Sequence, residues 1–173
     1  DNFESKPYAP IHESSHWFEG TQEMPLPKDF YSSRYYVDRM IGWLDADKTQ
    51  DKPFFSVVSL QANHYPHQAP KEYIDRYLGR YDKGWDQLRA ERYARQVQMG
   101  LSPAGLTLRQ SPNSRAWKDL KPKEQRDYAK RMAVYAGMLT AADTEIGRLH
   151  KHLEQTGELD NTYVMVTSDN GFF

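Results

Sequence analysis

The chain has 173 residues, with 23 Lys and Arg against 24 Asp and Glu, for a net charge of −1. That balance excludes a global electrostatic pull toward nucleic acid or an anionic membrane surface. The absence of cysteine excludes disulfides and thiolate chemistry. A hydrophobic fraction of 38% and a mean hydropathy of −0.90 are polar for a self-contained α/β domain, no apolar run reaches spanning length, and Asp1-Asn2-Phe3 does not open a signal peptide.

Residues 1 to 28 read as loop, with Pro7, Pro10, Pro25 and Pro27. Within them His12-Glu13-Ser14-Ser15-His16 spells the H-E-x-x-H zinc pattern. That chemistry needs both histidines on one helical face. Pro10 before it, two serines inside it and Gly20 after it argue against a helix, so zinc proteolysis is set aside. Ser32 or Ser33 predicts the cap of a helix running to about Asp47, with Val37, Met40, Ile41 and Leu44 as its buried stripe. Phe54–Leu60, short and rich in aromatic and β-branched residues, predicts a buried strand. Pro66 and Pro70 lack the ladder N–H, so the strand ends near His64. His67 reads as an exposed loop residue.

A short helix is expected over Lys71–Leu78, ended by Gly79, and a charged helix over Asp86–Met99, ended by Gly100. The stretch Arg89–Arg95 reads as a solvated face of that helix. Residues 100 to 122 read as a polar loop. Ser111-Pro112-Asn113-Ser114-Arg115 within it reads as a turn. The longest helix is expected from about Lys123 to Gln155, with Met132, Tyr135, Leu139, Ala142, Ile146, Leu149 and Leu153 along one face. Asp143 on it reads as structural. His150-Lys151-His152 falls in its last turn, where cations complement the helix dipole. Gly157 is a natural C-cap before the strand Thr162–Val166. Two strands separated by helices predict a parallel pair within a larger sheet.

The strand Thr162–Val166 runs into Ser168-Asp169-Asn170-Gly171. Adjacent Asp169 and Asn170 deliver two hard oxygen donors of the kind Ca²⁺ or Mg²⁺ prefers. Ligands of open α/β sheets bind just beyond the carboxyl ends of strands. Taken alone, Asp-Asn-Gly reads first as a turn, since Asn and Gly tolerate positive φ. His64, expected at a strand end on the same sheet edge, favours the site over the turn.

Taken together and in order, these segments resemble the sulfatase family of the alkaline-phosphatase-like superfamily. The matching stretches are Leu26–Ser33, Pro53-Phe54-Phe55, His64-Tyr65-Pro66, Gln68–Tyr73, Gly79–Asp86, Tyr135–Met138, Asp143–Arg148 and Gly157–Thr162, then Ser168–Gly171. They span roughly residues 24 to 171 and look most like bacterial arylsulfatases. The resemblance implies a three-layer α/β/α sandwich with a mainly parallel central sheet. It implies hydrolysis of a small-molecule or carbohydrate sulfate ester. Asp169 and Asn170 would hold the divalent cation, usually Ca²⁺, and His64 would bind the sulfate near the leaving oxygen and assist its departure. Sulfatases are often periplasmic or secreted, which is the compartment the resemblance suggests.

The family's nucleophile, a Cys or Ser converted to formylglycine within a C/S-x-Pro-x-Arg motif, has no counterpart here. The proline of Ser111-Pro112 stands one place too early, and the segment follows His64 instead of preceding it. The family's first metal-binding aspartates and a later catalytic lysine are also missing, and Phe172 and Phe173 replace the usual small residue after Asp-Asn-Gly. The expectation is therefore a single partial catalytic domain over 1–173, inactive and poorly folded by itself. Two alternatives stand beside it: a phosphodiesterase or phosphonate hydrolase of the same superfamily, and a non-catalytic binding fragment.

Overall fold

A computed structural model of the chain describes residues 16–47, 52–109 and 114–168. A small antiparallel hairpin comes first, β1 (Phe18–Glu19) paired with β2 (Gln22–Glu23). The helices are α1 (Ser32–Asp47), α2 (Lys71–Asp75), α3 (Gly84–Gln98) and α4 (Pro122–Gln155). Short 3₁₀ turns lie at Trp117–Asp119 and Leu159–Asn161.

The long helix is fixed at both ends by local chemistry. Pro122 stands in its first turn, where a missing N–H costs nothing. The Lys121 N–H donates to the Glu124 carboxylate at 2.8 Å, which satisfies a group just outside the helix. At the other end Gly157 takes a φ of +75°. There the Glu158 N–H reaches the Leu153 carbonyl at 2.9 Å and the Gly157 N–H reaches Glu154 at 3.1 Å. This is the paired hydrogen-bond pattern that closes a helix on a left-handed residue.

Both α1 and α2 pack on α4. One apolar cluster joins Ala69 and Ile74 to Ala133, Val134 and Met138 of α4, and a second joins Met40 and Leu44 of α1 to Leu153. The α1 stripe forms as its spacing predicts, with Val37, Met40 and Leu44 buried and Ile41 at its margin. The expected α4 stripe forms in part: Ala142 and Leu153 are buried and Tyr135, Ile146 and Leu149 half-buried, but toward the N-terminal half the buried face is rotated. Met132 and Leu139 are exposed, while Ala129, Ala133, Val134, Ala136, Gly137, Met138 and Ala141 are buried. Proximity explains the change: a Cβ on Gly137 would stand 3.1 Å from the Ile74 backbone nitrogen and 3.2 Å from the Tyr73 carbonyl carbon. The face that meets α2 is thus the one with the smallest side chains, not the most apolar ones.

Polar groups tie α1 to α4 further along. Glu145 is buried on α4 and pairs with Arg148, with Arg34 of α1 4.0 Å away. Arg148 also donates to Asp38 of α1 at 2.6 Å. A buried carboxylate between two guanidinium groups is tolerable because its charge is matched and hydrogen-bonded.

Three helix and strand expectations differ from the structure. The second helix stops at Asp75 and continues as turns to Gly79, and the third begins two residues early at Gly84. Neither Phe54–Leu60 nor Thr162–Val166 pairs as a strand, and among the described residues the only sheet is the β1–β2 hairpin. The expected parallel pair is therefore not formed here. A parallel strand needs neighbours along its edges and cover on both faces. These segments lack both: Phe55 is 87% and Tyr163 97% exposed. Only their bases are anchored, Val58 and Leu159 resting on the Met40–Leu44–Leu153 cluster.

Substituting Gly137→Val tests the α2–α4 contact. The branched side chain has only backbone to push against, so a loss of about 1–3 kcal/mol is expected, read in the complete protein as a lower urea midpoint at unchanged slope.

Candidate active site

His64 sits in a tight turn, its N–H bonded to the Gln61 carbonyl at 2.9 Å. Asn63 just before it takes a φ of +84°, a conformation asparagine tolerates better than most residues. The turn is held down from its far side. Ala69 is fully buried against α4, and Pro70 leads directly into α2. The sequence thus places a histidine on a short, anchored loop between an extended segment and a helix.

The His64 ring is oriented by its own chain. A carbonyl oxygen only accepts, so the 2.8 Å contact between Nδ1 and the Tyr65 carbonyl makes Nδ1–H the donor. Nε2 is then the nitrogen left for a ligand. The side chain is exposed, and the Tyr65 ring lies 4.5 Å from it.

Beside His64 is a cavity of about 40 Å³, walled by the start of α1, the Gln61–Gln68 loop and Met138 of α4. Ser33, Gln61, Tyr65 and Gln68 line it. Sequence reasoning missed these as site residues. Gln68 stood in the His64-Tyr65-Pro66 neighbourhood and could have been found from it. Ser33 was expected only as a helix cap, but its Oγ has no hydrogen-bond partner among the described residues.

His67 is partly buried, not simply exposed. Its ring meets Tyr135 edge-on at 5.6 Å. Burial, and then the Arg131 charge, hold its pKa below the ordinary histidine value, against a hydrogen bond to the Asn63 backbone that raises it.

The other sequence candidates separate clearly. Asp169 and Asn170 lie outside the described residues, as do His12 and the Ser111–Asn113 turn. His16 is not on a helix and its Nδ1 lies 2.6 Å from the Glu23 carboxylate, as expected of a loop histidine and not of a zinc helix. His152 approaches Asp45 of α1 at 3.3 Å. Asp143 is exposed, and Tyr93 within the Arg89–Arg95 stretch donates to the Pro103 carbonyl at 2.8 Å. Among the described residues no three His, Asp or Glu side chains cluster as a metal site, and no helix is long and apolar enough to cross a membrane.

The family model for sulfatases matches residues 1–172. The chain belongs to the sulfatase family. It is 39% identical over 146 residues to an uncharacterized sulfatase of Schizosaccharomyces pombe, covering 83% of this chain and 26% of that protein. It is 36% identical over 150 residues to an arylsulfatase of Klebsiella aerogenes, covering 87% of this chain and 32% of the relative. A third similarity, 29% over 142 residues, is to an ulvan-active sulfatase of Formosa agariphila, covering 82% of this chain and 22% of that one. The chain therefore spans about a quarter to a third of the length of the first two relatives. Membership carries the alkaline-phosphatase-like α/β class for the family as a whole. Within this sulfatase chain, the described residues supply mainly the helices.

The depressed pKa of His67 has a thermodynamic consequence. The unfolded chain binds the proton more readily, so the neutral ring stabilises the fold fully above about pH 6.5, and this is lost as pH falls toward the folded pKa. In the complete protein, urea midpoints at pH 7.5 and 5.5 should differ less in His67→Gln than in the unsubstituted form.

Proposed function

We propose that the protein carrying this chain hydrolyses a sulfate ester, and that His64 protonates or hydrogen-bonds the leaving oxygen. The observation that supports this most is the orientation of the His64 ring. With Nδ1–H committed to the Tyr65 carbonyl, Nε2 carries the exchangeable proton of the imidazolium form. An Nε2–H aimed at the ester oxygen would stabilise the negative charge that builds there as the S–O bond breaks. The proton would pass to the alcohol as it departs, and water supplies the remaining oxygen of the sulfate product.

Asp169 and Asn170 are proposed as ligands of a divalent cation, Ca²⁺ first. The fit rests on donor chemistry: a carboxylate and an amide oxygen side by side are hard ligands at a spacing that suits a flexible coordination shell. Bound there, the cation supplies charge neutralisation of the sulfate oxygens. The nucleophile, a formylglycine in the family's pattern, is proposed to lie outside these 173 residues.

The test uses the complete enzyme with 4-nitrophenyl sulfate, 4-nitrophenyl phosphate and a phenylphosphonate monoester. Sulfate turnover is expected to dominate, and His64→Ala should lower kcat by about 10²- to 10⁴-fold. Faster turnover of the phosphate or phosphonate would move the activity to phosphoryl transfer. Chelation of Ca²⁺ should abolish turnover and its return restore it, while Asp169→Ala should raise the Ca²⁺ concentration needed by at least about tenfold.

A further inference from the structure

We propose that the cavity between the first turn of α1 and the His64 turn is a subsite for a hydroxyl group on the alcohol part of the substrate, with Ser33 Oγ as its hydrogen-bond partner. The inference rests on the sulfatase reading above, because His64 is what places the leaving oxygen beside this cavity.

Ser33 is 1% exposed, and its hydroxyl has no hydrogen-bond partner among the described residues. A buried hydroxyl left unpaired is costly, and such groups in folded proteins are nearly always satisfied by protein, water or ligand. Ser33 also sits in the first turn of a 16-residue helix, where backbone N–H groups have no acceptor within the helix. The Tyr35 N–H bonds the Tyr31 carbonyl at 2.9 Å, closing the first turn around Ser33.

The walls select the chemistry of the occupant. Among the described residues no Lys, Arg, Asp or Glu lines the cavity, and its polar side chains are the neutral amides of Gln61 and Gln68 together with Ser32, Ser33, His64 and the hydroxyls of Tyr31 and Tyr65. Beyond the His64 ring, which the leaving oxygen takes up, a second charged group would meet no counter-ion among the described lining residues, whereas a neutral hydroxyl could both donate and accept. The volume of about 40 Å³ takes on the order of three water-sized groups, enough for a hydroxyl or hydroxymethyl but not a ring. The ring would lie outside, near the exposed Tyr65 face. Ser33 thus becomes a specificity-determining residue that favours polyhydroxylated sulfate esters over simple aryl ones.

The experiment compares a hexose monosulfate with 4-nitrophenyl sulfate as substrates of the complete enzyme and its Ser33→Ala variant. The ratio of kcat/KM, hexose over aryl, should fall about five- to tenfold, the factor one neutral hydrogen bond supplies. Inhibition by the unsulfated hexose should weaken in parallel. The melting temperature should not drop, because the lost hydroxyl bonds nothing in the fold. An unchanged ratio with both substrates turned over would overturn the subsite and show that the cavity holds only water. An equal loss on both substrates with a lower melting temperature would overturn it in favour of a packing role. If the parent enzyme hydrolyses neither sulfate ester, the sulfatase reading itself fails and the subsite falls with it.

Discussion

The near-contact of Gly137 with the Tyr73–Ile74 backbone governs much of what is ordered around it. It lets α2 lie directly on α4, and α2 is the element into which the His64 loop runs. Ala69 and Ile74 bury themselves on either side of that crossing, with Ala133, Val134 and Met138 beneath them. A larger residue at 137 would lift the whole loop, since the atoms it meets are main chain and cannot rotate away. Burial of five small and medium apolar residues supplies the driving force, but the glycine sets the distance. The same Met138 closes the floor of the cavity beside His64. The platform that fixes the loop therefore also shapes the space its histidine faces.

The helical layer was legible in the sequence wherever one physical signal dominated. Glycine after the end of α4 set its C-terminal limit almost to the residue, and the spacing of Val37, Met40 and Leu44 gave the inner face of α1. The face of α4 was misjudged because periodicity rewards the largest apolar residues, while a close helix crossing selects the smallest. Met132 and Leu139 looked like core for that reason and are exposed. The second helix came out shorter because the turns after Asp75 use the same residues a helix would. The strands failed differently. Phe54–Leu60 and Thr162–Val166 have strand composition, but pairing depends on residues distant in sequence, and nothing within either segment supplies it.

At the site, the part that sequence could read was identity, and the part it could not was environment. His64 was singled out because prolines on its C-terminal side force the chain out of any strand. Its ring orientation depends on the Tyr65 carbonyl, a contact no residue pattern encodes. Ser33 shows the same limit from the other direction. A serine at the start of a helix is most economically read as a cap. Only its burial without a partner, opposite the His64 loop, separates that reading from a role toward a ligand.

The two segments proposed to carry the site's chemistry share one support. Val58 of the first and Leu159, which precedes the second, both rest on the cluster of Met40, Leu44 and Leu153. That cluster is where α1 meets the end of α4, and the Glu145–Arg148–Asp38 pairing reinforces the same junction a turn or two away. His64 follows Val58 by six residues, and Asp169 follows Leu159 by ten. Between these points lie the Gln61–His64 turn in the first segment and the Leu159–Asn161 3₁₀ turn at the head of the second. The exposed apolar side chains on both segments belong to strand-like stretches whose burial must come from outside the α1–α4 layer. The helical layer can thus set where each functional segment begins. It does not by itself set where the segments end, and for that a sheet is required.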